Sequence, residues 1–332
     1  MRAFFAARPR LRATPLTAIP SLAANLGLGS LAAKDETGRF GLNAFKLLGA
    51  RFAIDTMVSE GTLRAGDTVV CASEGNHGRA VARAAGDARC ASRVYMAHDA
   101  AQARVDAIAG EGAEVIRVDG SYDDAVRILQ RDADAHGWTI VSDTAWPGYE
   151  RIPFLIMLGY THMLDEVESP FDAIFVQGGV GGLLCAMASW CAFHRPGTKV
   201  VSVEPTQAAC LQASAKAGHP VAVEGPLNTT MAGLRNREVS PPAFASLLPN
   251  VDAFMAIDDR WSFDAMRELS TVGIRAGSSG SAALGGLLAL CTEPAMAEAR
   301  SHLGLQPSSR VLVIVSEGVT DPALFEEVMH GK

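Results

Sequence analysis

The chain has 332 residues, 48% hydrophobic and 20% charged, with 32 glycines and a formal net charge of −7. That is enough apolar material for a substantial core and enough length for two domains. The acidic balance leaves no electrostatic footprint for nucleic acid, and the longest apolar runs, around Val180 to Phe193, are too short to cross a bilayer, so a cytoplasmic protein with no membrane partner is expected.

The chain begins with Arg2, Arg8, Arg10 and Arg12 and no acid. Pro9 and the turn at Thr14-Pro15-Leu16 argue against a long amphipathic presequence, and the segment reads as a solvated arm. Next, Gly41 to Ala50 reads as a loop ending in an N-capping Asn43, followed by a helix toward Ile54. Lys46 then lies in the first turn, where the helix dipole, open N–H groups and apolar Phe45, Leu47 and Leu48 all disfavour an ammonium. A lowered amine pKa suits a lysine that forms a Schiff base with an aldehyde. An exposed lysine on an amphipathic helix is the alternative.

Asp67 to Ala72 reads as a buried strand entering Ser73-Glu74-Gly75-Asn76-His77-Gly78, with helical character from Arg79 to Ala85. Ligands of open α/β sheets bind in such strand-to-helix loops, although a helix cap plus turn glycines would also explain Ser73 or Asn76. His77 reads as a loop histidine held by hydrogen bonds. Further strands near Arg93 to His98, Ala113 to Val118 and Trp138 to Val141 complete a small α/β set. Asp143, just beyond, either meets a cation or caps the following turn.

Phe171 to Gln177 reads as a second buried strand, entering Gly178-Gly179-Val180-Gly181-Gly182 and the apolar helix Leu183 to Phe193. Glycines let backbone N–H groups gather round an anion at a helix N-terminus, so a phosphate is expected here. A P-loop would need Lys-Ser/Thr where Leu183-Leu184 stand, and a dinucleotide fingerprint would need Gly at 184. A nicotinamide-dependent oxidoreductase remains a second reading, because Glu204 follows the strand Lys199 to Val203 at about the distance of a ribose-binding acid. Glu204 also reads as part of a cation site or as ordinary surface. The six cysteines show no C-x-x-C spacing, so free buried thiols are expected and no metal site. Short Val/Ile/Ala strands alternating with Ala-rich helices indicate an α/β fold with open, mostly parallel sheets flanked by helices.

Lys34-Asp35-Glu36, Arg39 to Lys46, Glu74 to Gly78, Asp143 to Trp146, Gly148 to Glu150, Ile152-Pro153, Met231 to Leu234 and Ser316 to Gly318 together carry a resemblance covering almost the whole chain. It resembles the fold-type-II pyridoxal-phosphate (PLP) enzymes, which include threonine dehydratase, serine racemase and cysteine synthase, and within them the diaminopropionate ammonia-lyases. The resemblance implies a two-lobed fold like that of tryptophan synthase β. Residues 1–64 and 148–332 would form the large PLP-binding domain and residues 65–147 the small one. It makes Lys46 the Schiff-base lysine with Phe45 beside the cofactor ring, and has Asn76 bond the ring hydroxyl. Gly178, Gly179, Val180, Gly181 and Gly182 would bind the phosphate, and Ser316 would face the pyridine nitrogen.

Lys46 and Glu74 are then bases on opposite faces of the substrate, in a loop that also brings Ser73 to it, and Asp143 pairs with a distal ammonium. Two positions depart from the family pattern. Glu74 stands where Asp is typical, and Ala276-Gly277-Ser278-Ser279-Gly280 replaces a Ser-Gly-Glu-Ser-Gly run, losing an acid. The implied activity is elimination of ammonia from a small amino acid, 2,3-diaminopropionate, to give pyruvate and ammonia, in a homodimer. A serine/threonine-type dehydratase and a noncatalytic PLP-binding protein are the alternatives.

Overall fold

The computed structural model describes residues 2–8, 11–73 and 75–331, which leaves Glu74 outside the described residues. The strands among them are, in chain order, β1 (Leu16–Ala18), β2 (Ser30–Asp35), β3 (Thr68–Ala72), β4 (Ala91–Ala97), β5 (Glu114–Val118), β6 (Thr139–Ile140), β7 (Ala173–Gln177), β8 (Lys199–Pro205), β9 (Ala253–Ile257) and β10 (Arg310–Val315). By packing density the chain divides into Lys46–His162 and a larger unit of Arg2–Phe45 with Met163–Lys332. This grouping puts the helices Leu47–Ser59 and Arg151–Tyr160 with the smaller unit, where the resemblance had grouped them with the larger.

The smaller unit holds a sheet in the order β5-β4-β3-β6, parallel throughout. Parallel neighbours need long crossovers, and the helices Asn76–Asp87, Gln102–Ala109 and Tyr122–His136 supply them in turn. The last is bounded by chemistry legible in the chain. Ser121 and Asp124 form a reciprocal capping box at its start, and Gly137 ends it in the left-handed conformation at φ 68°. Its apolar face packs Ala125, Leu129 and Ala133 against Val70, Tyr95 and Val118 of the sheet.

The larger unit is built on the sheet β1-β2-β10-β7-β8-β9, with only the β1/β2 pair antiparallel. β7 is buried along its whole length, as expected for a central strand covered on both faces. The helix Ser278–Thr292 is apolar nearly all round and buried almost throughout, so it belongs to the core and not to the surface. The segment at Arg2 is less solvated than expected. Arg2–Ala6 is helical and Phe5 is buried, because an aromatic ring there gains by leaving water.

A buried ionic cluster ties the end of β2 to distant chain. Lys34 Nζ lies 2.5 Å from Glu166 Oε2 and 2.6 Å from Thr14 Oγ1. The Arg39 guanidinium is 2.6 Å from Glu36 and 2.7 Å from Glu166. Removing one member would leave an uncompensated buried charge, costing about 3–5 kcal/mol.

Candidate active site

The loop leading to Lys46 is set by two neighbours rather than by a cap. Asn43 adopts φ 66°, donates from Nδ2 to the Val319 carbonyl at 2.8 Å, and accepts from Gly318 N–H at 2.8 Å. Asparagine tolerates the left-handed region better than most residues, and Gly318 permits the approach, since a Cβ there would lie 2.4 Å from Asn43 Oδ1. The helix therefore begins at Leu47, with Lys46 at the cap position and not in the first turn as the sequence suggested. In the smaller unit this helix packs against Arg151–Tyr160 through paired glycines. A Cβ on Gly159 would sit 2.4 Å from the Leu48 carbonyl.

Lys46 Nζ lies 2.6 Å from Asp143 Oδ2 and 5.9 Å from the centroid of the Tyr160 ring. His77 Nε2 is 2.8 Å from the Val141 carbonyl, which assigns the hydrogen to Nε2 and leaves Nδ1 as an acceptor 3.7 Å from Asp143 Oδ2. Burial pushes the His77 pKa down, favouring the neutral ring. Burial works against the Asp143 carboxylate too. The Lys46 ammonium at 2.6 Å opposes it and holds Asp143 well below the usual carboxylate range. The arrangement is a carboxylate kept ionised and aimed at a primary ammonium.

The loop after β3 is partly self-supporting. The buried Ser73 hydroxyl accepts from Gly75 N–H at 3.2 Å and Gly78 N–H at 2.9 Å. The following helix starts at Asn76, three residues before the expected Arg79.

In the larger unit β7 runs into Gly178–Gly181, and the helix Gly182–His194 follows with Gly181 at φ 99° as its cap. A Cβ on Gly178 would lie 2.6 Å from Leu211 Cδ1 and 2.8 Å from Ser202 Oγ, so any larger residue would force these side chains to shift. Val180 is anchored through its carbonyl, which accepts from Ser240 N–H at 2.8 Å. No acidic side chain occupies the first turn of the helix, which leaves its N-terminus suited to an anion. Ser316 follows β10 and is buried. Its backbone carbonyl accepts from Phe45 N–H at 3.2 Å, which brings those two residues together, and Gln177 Nε2 lies 2.7 Å from its Oγ.

The run Ala276–Gly280 opens the helix Ser278–Thr292. Ser278 donates to the Thr230 carbonyl at 2.8 Å, and Ser279 Oγ accepts from Gly233 N–H at 2.9 Å. Glu204 is not the surface residue that was one expectation for it. It is fully buried in β8, and its two oxygens accept from Leu211 and Gln212 N–H, each at 2.7 Å, capping the helix Cys210–Ala217. It is thus buried and not at the surface, with each carboxylate oxygen accepting a backbone N–H. Among the described residues no cluster of three His, Cys, Asp or Glu side chains is arranged to hold a metal ion. The six cysteines are free thiols, five of them buried.

Sequence reasoning passed over Tyr160 and Gln177 and saw no link between His77 and Asp143. Gln177 did leave a signal, being the one polar residue in an otherwise apolar strand that enters the glycine loop.

A phosphate cradle without the lysine of a P-loop, and a serine hydroxyl at a strand end in place of a carboxylate, suit a phosphorylated pyridine better than a nucleotide. Fold and site thus define the class as an α/β enzyme built to carry PLP. The chain matches the family model described as pyridoxal-phosphate dependent enzyme over residues 7–317, and it belongs to that family. It is 35% identical to a diaminopropionate ammonia-lyase of Escherichia coli (strain K12), over 96% of this chain and 87% of the relative. A crystal structure of the Escherichia coli diaminopropionate ammonia lyase in complex with D-serine matches with a TM-score of 0.88 at 34% identity, covering 97% of this chain and 88% of that one. The biosynthetic L-threonine dehydratase of Salmonella typhimurium is 29% identical over 82% of this chain and 52% of its own length.

Proposed function

We propose that this PLP-dependent enzyme eliminates ammonia from 2,3-diaminopropionate, giving pyruvate and ammonia. The observation that carries the reading is the ionised Asp143 carboxylate 2.6 Å from a primary ammonium, that of Lys46. A substrate whose β-substituent is itself a primary ammonium offers the same chemistry to the same acid. The similarity to diaminopropionate ammonia-lyases along nearly the whole chain supports this choice over a dehydratase, whose substrate brings no second cation to Asp143.

Bound PLP supplies the electron sink that acidifies the substrate's α-hydrogen. The chain's residues do the rest. Lys46 carries the cofactor and takes the α-proton on one face, and Glu74 takes it on the other. Asp143 binds the β-ammonium, so that when the Cβ–N bond breaks the bonding pair leaves with nitrogen as ammonia. The three-carbon enamine that remains tautomerises to an imine, and water hydrolyses it to pyruvate and a second ammonia. The backbone from Gly178 to Gly182 would hold the phosphate, Asn76 the ring hydroxyl and Ser316 the ring nitrogen, with Phe45 beside the cofactor and Ser73 near the substrate.

The test is a panel of both enantiomers of diaminopropionate, serine, threonine and cysteine, read out as keto acid. Diaminopropionate should lead in kcat/KM. A lead for serine or threonine would favour the dehydratase. A homodimer and a cytoplasmic setting go with this reading. Sedimentation of the purified protein and fractionation of cells check them.

A further inference from the structure

Gln177 is buried at the end of β7, and its amide has only one workable orientation. Nε2 lies 3.3, 3.1 and 3.2 Å from the carbonyl oxygens of Ser279, Gly280 and Ile314 and 2.7 Å from Ser316 Oγ. Exchanging the amide nitrogen and oxygen would set Oε1 against three carbonyl oxygens, which is repulsive. Nε2–H is therefore the donor and Ser316 Oγ the acceptor.

The orientation leaves Oε1 buried with no hydrogen-bond partner among the described residues. A buried acceptor without a partner is costly, and an apolar side chain of similar size, such as Met, would avoid that cost. What glutamine adds here is an NH2 group whose shortest contact is with Ser316 Oγ, at 2.7 Å, and which also serves the three carbonyls. A hydroxyl that accepts one hydrogen bond becomes a stronger donor and a weaker acceptor, because the bonds polarise one another. With Gln177 donating to Oγ, the single hydrogen of Ser316 is turned away from Gln177 and available to an acceptor.

We propose that Gln177 is a positioning residue that fixes the Ser316 hydroxyl as a hydrogen-bond donor, and so keeps the pyridine nitrogen of bound PLP unprotonated. The inference rests on the assignment of Ser316 to that nitrogen. An unprotonated ring withdraws electrons less strongly, which favours loss of the β-substituent over reprotonation at the cofactor carbon, so Gln177 acts on product partition through Ser316.

The experiment loads the enzyme with PLP labelled with nitrogen-15 in the ring and records the ring-nitrogen chemical shift across pH. Wild type, Gln177→Met, Gln177→Leu and Ser316→Ala are compared, and the share of turnovers ending in transamination is measured in parallel. The wild-type nitrogen should give the signal of an unprotonated pyridine. Either Gln177 variant should move it toward the protonated signal and raise the transaminated share about threefold to tenfold, the effect of losing one modest hydrogen bond. Ser316→Ala should move the signal at least as far.

A protonated wild-type ring would overturn the inference without recourse to any variant. If Ser316→Ala shifts the signal and the Gln177 variants do not, Gln177 is structural only and the assignment of Ser316 stands. If Ser316→Ala leaves the signal unchanged, the assignment of Ser316 and the role of Gln177 fall together.

Discussion

At Lys46 the chain combines an amine at a helix cap with an ionised acid 2.6 Å away, whereas Lys34 is locked in a buried cluster with Glu166 and Thr14. Borohydride reduction followed by peptide mapping should therefore put the cofactor on Lys46, and Lys46→Ala should abolish turnover and the reducible link while leaving weak PLP binding through the glycine loop. A label on Lys34 would contradict this. The acids should separate by role. Asp143→Asn removes a charge-assisted contact worth about 1.5–3 kcal/mol, so kcat/KM for diaminopropionate should fall roughly ten- to a hundredfold, with serine far less affected. Glu74→Gln should instead lower turnover of one enantiomer of every substrate and spare the other. A matrix of both variants against both enantiomers of both substrates reads this out. The residue types in the two loops were legible in the sequence because they are exposed to chemistry. The 2.6 Å pairing of Lys46 with Asp143 was not, since 97 residues separate the two and no local pattern encodes it.

The β8 strand shows what sequence periodicity misses at the level of elements. Glu204 looked like a strand-end acid, but it lies inside the strand and caps the helix Cys210–Ala217. Burial raises its pKa to about 8, although both N–H bonds favour the charged form, and it also helps raise that of Cys210 to about 12, where burial is the larger cause. In the window from the usual carboxylate pKa up to about 8 the folded chain holds a proton that the unfolded chain has released, so stability should fall as pH rises. The slope should approach roughly 1.4 kcal/mol per pH unit at most. Glu204→Gln should flatten that slope in denaturant titrations run from pH 5 to 9, whatever it does to absolute stability. An unchanged slope would mean that Glu204 is not the titrating group. The strands that were read fell within a residue or two of their observed bounds, while β1, β2 and β9 went unread. The helix start at Lys46 was misread because Asn43 is held in the left-handed region by contacts with Gly318 and Val319, 275 or more residues away.

For the whole molecule, alternation of strands and helices was enough to indicate open, mostly parallel sheets, and the observed orders β5-β4-β3-β6 and β1-β2-β10-β7-β8-β9 agree with it. Strand order itself was beyond reach, because β10, nearly last in the chain, inserts between β2 and β7, and periodicity says only which face of a strand is apolar. The same long-range closure brings Ser316 beside Gln177 and Phe45. The chemistry assigned to this fold makes a stoichiometric demand that no competing activity shares. Purified enzyme loaded with PLP is given 2,3-diaminopropionate, and ammonia and pyruvate are quantified in the same sample. The expected result is rapid turnover with two ammonia molecules per pyruvate, at a kcat/KM well above that for serine. No pyruvate from diaminopropionate, with serine or threonine turned over to one ammonia per keto acid, would contradict it.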